Sequence, residues 1–305
     1  MAKRKKDRPT VSVIGAGRLG TALALGLASG GYSLEAVVAR RLTRAQKAAR
    51  LFRRRPLALS GAQLAKLPET ELILITTPDD VITLIAGSLA AFQRDVRPGR
   101  TVLHTSGALS SEVLAPLAAL GFHIGSLHPL VSVSDPVSGA ANLREAFYCL
   151  EGDRAALRVA RAVVRDLGGQ SFSINSRNKA LYHAAAVMAS GHMVALFDMA
   201  AEMLARCGLD QKRARRVLMP LVESTVRNLL SSDPARALTG TFARGDLATV
   251  QRHLEALNAN GFSDALRAYK LLGRRSLELA KRNGADAAAV KKIANALDRA
   301  ARTRR

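Results

Sequence analysis

The 305-residue chain has no tryptophan, and aromatic residues make up only 4% of it. Its core must therefore rest on Ala, Leu and Val, which suits helix packing. Cysteine occurs twice, as Cys149 and Cys207, and neither sits in a CxxC pair. Neither a disulfide framework nor a zinc site is supported, and no metal is expected. Both thiols are expected to be buried and free in a reducing cytoplasm. No apolar signal segment follows the charged start, so secretion is not expected. The longest uncharged run, residues 180–197, contains Tyr182, His183, Ser190 and His192. That is too polar for a membrane span and reads as a buried helix. Acidic residues are scarce, 24 against 46 Lys and Arg, for a net charge of +22. Basic residues crowd both ends, from Lys3 to Arg8 and from Arg299 to Arg305. They read as solvated tails on a protein with an anionic ligand, or as a nucleic-acid footprint, the less favoured reading.

Apolar residues account for 48% of the chain, enough for a sizeable core and about two domains. Short β-branched runs alternate with helical stretches through the first half. Strands are expected near 10–14, 34–39, 71–77, 101–104, 123–126, 147–150 and 171–174. Helices are expected over 18–29, 43–52 (with Thr43 as N-cap), 80–91, 110–120 and 153–167. This alternation predicts an α/β fold, a doubly wound, mostly parallel sheet. No strand-like run follows Asn175. The expected organisation is a basic disordered tail over 1–9, a Rossmann domain over 10–170 and an all-α domain over 171–305. One long helix is expected over 179–206.

Gly15-Ala16-Gly17-Arg18-Leu19-Gly20 follows the first strand and opens the first helix, the context in which GxGxxG binds a dinucleotide. Gly15 makes the tight turn, Gly17 admits the pyrophosphate, and Gly20 lets helix meet strand. The helix N-terminus offers free N–H groups to the phosphates. At the end of the second strand an NAD site would carry an acid for the ribose hydroxyl. Arg40 and Arg41 stand there instead. They can pair with a 2′-phosphate, so NADP is the expected cofactor. Thr76, Thr77 and Pro78, at the end of the third clear strand, are expected to line the nicotinamide side. Asp79 or Asp80 is expected to cap the helix after them.

Ligands of open α/β sheets sit beyond the carboxyl ends of the strands. Two such ends carry Thr105-Ser106-Gly107 and His128-Pro129. Ser106 can donate to a carbonyl or carboxylate, and His128 can donate or shuttle a proton. His104, inside its strand, reads as structural. Lys179 and His183 share one helix face at i, i+4. A lysine in a dry cleft has a lowered pKa and can act as acid or base. A solvated lysine and a core histidine are the bland alternative.

These residues resemble the 6-phosphogluconate dehydrogenase-like superfamily, in which a Rossmann domain precedes a helical one. Lys179 matches its catalytic lysine, and His183 takes the position of its asparagine. Ser106 with His128-Pro129 is similar to a pair in the prephenate dehydrogenases. A closer resemblance is to a branch whose C-terminal domain is DUF2520. It is carried by 104–109 (HTSGAL), 127–130 (LHPL), 182–186 (YHAAA), 238–240 (LTG) and 243–246 (ARGD), with Thr241 where a proline is expected. The resemblance implies a homodimer formed through the helical domain; Arg244, in a glycine-flanked turn, is then expected to bring a cation to a substrate anion, and Asp246 to cap the next helix. It implies an NADP-dependent oxidoreductase moving a hydride to or from a small carbonyl, hydroxy or imine substrate in the interdomain cleft. Lys179, His183, His128 and Ser106 would be catalytic. Thr105, Ser106, Gly107, His128 and Arg244 would touch substrate. A non-catalytic NADP sensor is the alternative.

Overall fold

The computed structural model describes residues 8–92, 97 and 99–299. Two compact units divide between Gly191 and His192. The first holds an eight-stranded sheet. In chain order its elements are β1 (Val11–Ile14), α1 (Arg18–Ser29), β2 (Leu34–Ala39), α2 (Leu42–Ala49), β3 (Leu57–Ser60), β4 (Leu72–Ile75), α3 (Asp79–Phe92) and β5 (Thr101–His104). Then come α4 (Ala115–Ala118), β6 (His123–Pro129), α5 (Pro136–Asn142), β7 (Phe147–Gly152), α6 (Arg154–Asp166), β8 (Gln170–Ser173) and α7 (Lys179–Ala189).

The strand order is β3-β2-β1-β4-β5-β6-β7-β8. Every pairing is parallel except β6 with β7, so the sheet is the doubly wound, mostly parallel one expected. The chain reverses direction across β1, going to β2 on one side and β4 on the other. Such switch points open a crevice at the strand ends. Strands β1 and β4 are buried along their whole length because helices cover both faces. One cluster packs α1 and α6 on one face, and another packs α3 on the other.

Several local expectations need correction. Strand β3 was not anticipated, since only Leu59 of its four residues is buried and the apolar signal is thin. Helix α5 was not anticipated either, although Asp135 caps it and Pro136 starts it. Thr43 is not an N-cap: it lies inside α2, and Arg41 stands at the cap with no side-chain bond. The helix expected over 110–120 is a 3₁₀ turn, Ser111–Leu114, leading into the short α4. Arg8 does not belong to a disordered tail. Its guanidinium pairs with Asp166 at 3.7 Å and lies over the Tyr32 ring. The rest of the basic ends, residues 1–7 and 300–305, lie outside the described residues.

The helical region begins later than residue 171, because β8 and α7 stay with the sheet. The long helix expected over 179–206 breaks at Ser190, whose φ of −124° and ψ of −76° are not helical. The second unit contains α8 (Gly191–Arg206), α9 (Gln211–Ser231), α10 (Pro234–Ala237), α11 (Leu247–Ala259), α12 (Ser263–Arg282) and α13 (Ala287–Arg299). Its core joins α11, α12 and α13 through Val250, Leu254, Leu277, Val290, Ile293 and Leu297. Asp246 caps α11 on the Thr249 amide at 3.0 Å, as expected. Cys149 is buried and free, but Cys207 is exposed, against expectation, at the end of α8. The segment Ser176–Arg206 is little buried and, by length and composition alone, could cross a membrane.

Candidate active site

The glycine turn is closed on one side by its own chain and open on the other. Gly15 has φ +116°, and a Cβ there would lie 2.6 Å from the Thr76 carbonyl carbon. A Cβ on Gly20 would lie 2.2 Å from both the Gly15 oxygen and Thr76 Oγ1. Thr76 Oγ1 donates to the Gly15 carbonyl at 2.7 Å, so the end of β4 buttresses the turn after β1. Gly17 differs: nothing but the Gly15 oxygen, at 3.9 Å, approaches its Cβ position. That is the face a ligand can approach.

No side chain caps α1, and its first turn carries no acid. Among the described residues no acceptor meets the amides of Arg18, Leu19 or Gly20. Three oriented N–H groups and the positive end of a helix remain for an anion. Ala16 is buried beneath them. Thr77 Oγ1 is buried with no hydrogen-bond partner, an orphan that a bound group would satisfy. Pro78, next to it, is exposed.

At the end of β2 a cavity of about 370 Å³ is lined by Arg40, Arg41, Thr43, Arg44 and Lys47. Arg44 and Lys47 escaped the sequence reading. The signal was present: Arg44 and Lys47, three positions apart, share one side of α2, and Arg40 and Arg41 lead into it. Four cations around one hollow suit a phosphate.

The ends of β5 and β6 form a second cluster. His104 Nδ1 accepts from the Ser106 amide at 3.1 Å, which leaves the proton on Nε2, 3.1 Å from the Ser110 carbonyl. Burial, with the Lys179 charge nearby, lowers His104 to about 4. It staples the loop after β5, a structural role. Ser106 Oγ donates to Asp79 at 2.8 Å and accepts from the amides of Ala108 and Leu109. One proton and two lone pairs are a hydroxyl's full capacity. The hydroxyl expected to meet substrate is therefore already taken up by Asp79, at the start of α3, and by two amides of its own loop. Asp79, expected as a cap, serves Ser106 instead. Thr105 is buried, and its amide continues the pairing with β4 at Ile75.

Lys179, the first residue of α7, is 1% exposed. Its Nζ donates to Ser126 Oγ at 2.6 Å and to the Ser106 carbonyl at 3.1 Å. Burial lowers its pKa, opposed by Cys149, Glu151 and Asp79. The ammonium thus ties β5 to β6 and faces no solvent. One turn on, the Tyr182 hydroxyl meets His128 Nδ1 at 2.6 Å, and the two rings stand edge to face. His183 stands edge-on to His128 with ring centres 5.5 Å apart. Burial, with His183 and Lys179 nearby, lowers His128 to about 4.

Gly107 lies under both rings: a Cβ there would fall 2.5 Å from His183 Cδ2 and 2.9 Å from His128 Nε2. So Ser106, Gly107, His128, Lys179 and His183, 77 positions apart at the extremes, do come together. Tyr182 joins them, missed as a site residue although it lies i+3 from Lys179. Arg244 belongs to the second unit, in the turn from Gly240 to Gly245. No metal-binding group of His, Cys, Asp or Glu occurs among the described residues.

Comparison with known proteins matches this arrangement to two family models. Residues 2–129 match a Rossmann-like domain, and residues 146–276 match DUF2520, a domain of unknown function. The chain joins a Rossmann-like domain to a DUF2520 domain. Protein TM1727 of Thermotoga maritima is similar at 23% identity and TM-score 0.69, over 90% of this chain and 99% of that one. Protein BF3122 of Bacteroides fragilis is similar at 23% and 0.71, over 89% and 99%. A Plasmodium falciparum pyrroline carboxylate reductase, solved with NADP bound, is similar at 13% and 0.54, over 95% and 98%. These likenesses show a shared fold. No curated protein sequence matches the chain.

Proposed function

We propose that this Rossmann-like/DUF2520 protein is an NADP-dependent oxidoreductase acting on a small carbonyl, hydroxy or imine substrate. One observation carries the reading. The open side of Gly17 adjoins the unpartnered α1 amides, and four cations ring the hollow at the end of the neighbouring strand. The first fits a pyrophosphate and the second a 2′-phosphate. The orphaned Thr77 hydroxyl fits a polar group carried further along the same crevice. When bound, a nicotinamide supplies or accepts the hydride.

The chain's own residues then hold the substrate and manage its proton. His128 and His183 are the partly accessible rings of the cluster, over bare Gly107. Lys179, buried on Ser126 and the Ser106 carbonyl, positions the strand ends that carry His128 and Gly107. The fold relative with NADP bound supports the cofactor class. Thermal shift with NADPH against NADH tests the reading. A ligand at a hundred times its dissociation constant should stabilise the fold by about 2.7 kcal/mol. NADPH should shift the melting point well beyond NADH. Equal shifts would remove the 2′-phosphate role from Arg40 and Arg41, and no shift with either would sink the proposal.

A homodimer through the helical region belongs to the same reading. Helices α8 and α9 bury one residue each, Ala201 and Ala214. Val194, Leu221 and Leu230 on them are 66%, 63% and 83% exposed, a surface that needs covering. A non-catalytic NADP sensor has two observations in its favour. The Ser106 hydroxyl is spent on Asp79 and on amides of its own loop, and Lys179 is sealed from solvent. NADPH binding without turnover on a broad carbonyl and imine panel would select that reading.

A further inference from the structure

The contact between Tyr182 and His128 decides which nitrogen of His128 carries its proton. The tyrosine hydroxyl has one proton to give and two polar neighbours, His128 Nδ1 and the Cys149 thiol. Imidazole nitrogen is a strong acceptor and a thiol sulfur a weak one, so the proton goes to Nδ1. The 2.6 Å separation fits that strong pairing. Cys149 is left as the weaker second neighbour of the tyrosine hydroxyl. Burial raises both the Tyr182 and Cys149 pKa values, so both keep their protons. The tyrosine proton is thus committed to the imidazole, and the phenol–imidazole contact is fixed in direction.

With Nδ1 occupied as an acceptor, the neutral ring must carry its hydrogen on Nε2. That atom has no hydrogen-bond partner among the described residues. It lies over Gly107, where a methyl group would come within 2.9 Å. The groups facing His128 oppose a second proton: His183 edge-on, Lys179 behind it, and His104 beside it on β5.

We propose that His128 is a neutral hydrogen-bond donor through Nε2, held in that tautomer by Tyr182, and that it engages a lone-pair oxygen such as a substrate carbonyl. The proposal rests on the oxidoreductase reading for the identity of the acceptor only. A neutral imidazole can polarise a carbonyl where an imidazolium would be too costly to form. Such a donor favours a carbonyl over a protonated imine, which has no free lone pair to offer. Tyr182 is a positioning residue acting through His128, and Cys149 supports it from the strand behind.

Nitrogen NMR of histidine-labelled protein without cofactor tests this, with the His128 signals assigned by their loss in His128→Asn. Nε2 should resonate as a protonated, pyrrole-type nitrogen and Nδ1 as a bare, pyridine-type one. Neither should titrate until the pH nears about 4. A protonated Nδ1 in the wild-type protein would overturn the proposal. Tyr182→Phe should release the ring into a mixture of tautomers, and unchanged shifts in that variant would remove the positioning role. Should Tyr182→Phe fail to fold, the wild-type spectrum still decides the tautomer. Neither outcome depends on cofactor binding, so the thermal-shift test and this one fail separately.

Discussion

The two units are built to different standards of closure. In the first, β1 and β4 are buried end to end and helices cover both faces of the sheet. In the second, a small core joins α11 to α13, while the 16-residue α8 and the 21-residue α9 bury one residue each. Long helices that bury so little do not hold their place by their own packing, since most helix stability in proteins comes from a buried apolar face. The sheet unit is complete as a single chain. The helical unit leaves apolar side chains of α8 and α9 exposed, and a second copy of the chain is the proposed cover.

Three changes would break or sharpen that contrast. The largest effect is expected from Gly20→Ala, which forces a methyl group into the Gly15 oxygen and the Thr76 side chain. Backbone cannot give way as a side-chain tip can, so we expect a loss of about 3 kcal/mol or more in denaturant unfolding. A variant as stable as wild type would mean the turn is not the closed buttress described. Next is acid. His104 and His128 are both lowered from 6.5 to about 4. The unfolded chain binds protons there at a higher pH than the folded one, so stability falls as pH drops from about 6.5 toward 4, then levels off. Fully buried His104 alone contributes on the order of 3 kcal/mol across that window. Unfolding free energies measured from pH 7 to 4 should show the decline, and His104→Asn should make it shallower, leaving the part due to His128. A pH-independent stability would mean these rings are not buried neutral.

The smallest effect per residue is expected at the helical surface. Leu221→Asp with Leu230→Asp removes apolar area worth about 2 kcal/mol each if a partner covers it. Light scattering should show a dimer for wild type and a monomer for the double variant, with the sheet unit's acid profile unchanged. A wild-type monomer would leave this surface uncovered and send the search to another partner, a membrane included, since Ser176–Arg206 meets the length and composition for one.

Much of the sheet was legible because its signals are local. The apolar runs at β2 and β5 announced their own boundaries, residues 34–39 and 101–104. Strand β3 was invisible because it borrows its burial from one residue and its hydrogen bonds from β2. The site was half legible. Gly15, Gly17, Gly20 and the arginines after β2 form a pattern within 27 consecutive positions, 15 to 41. The cluster around His128 does not. Its residue types were visible at the strand ends, but not what each side chain would be bound to.

Sequence alone determined the alternation of strand and helix, the glycine turn and the excess of cations beside it, because each depends on a few neighbouring residues. Tertiary structure alone decided how the polar side chains are spent. Ser106 finds Asp79 across 27 positions, Lys179 finds Ser126 across 53, and Tyr182 finds His128 across 54. A buried polar group must be satisfied by whatever lies within about 3 Å of it, and folding chooses those neighbours. That constraint turned Ser106 from a substrate donor into a loop clasp and Lys179 into a clamp between strands. It left His128 Nε2 over Gly107 with no hydrogen-bond partner among the described residues, as the donor proposed for substrate.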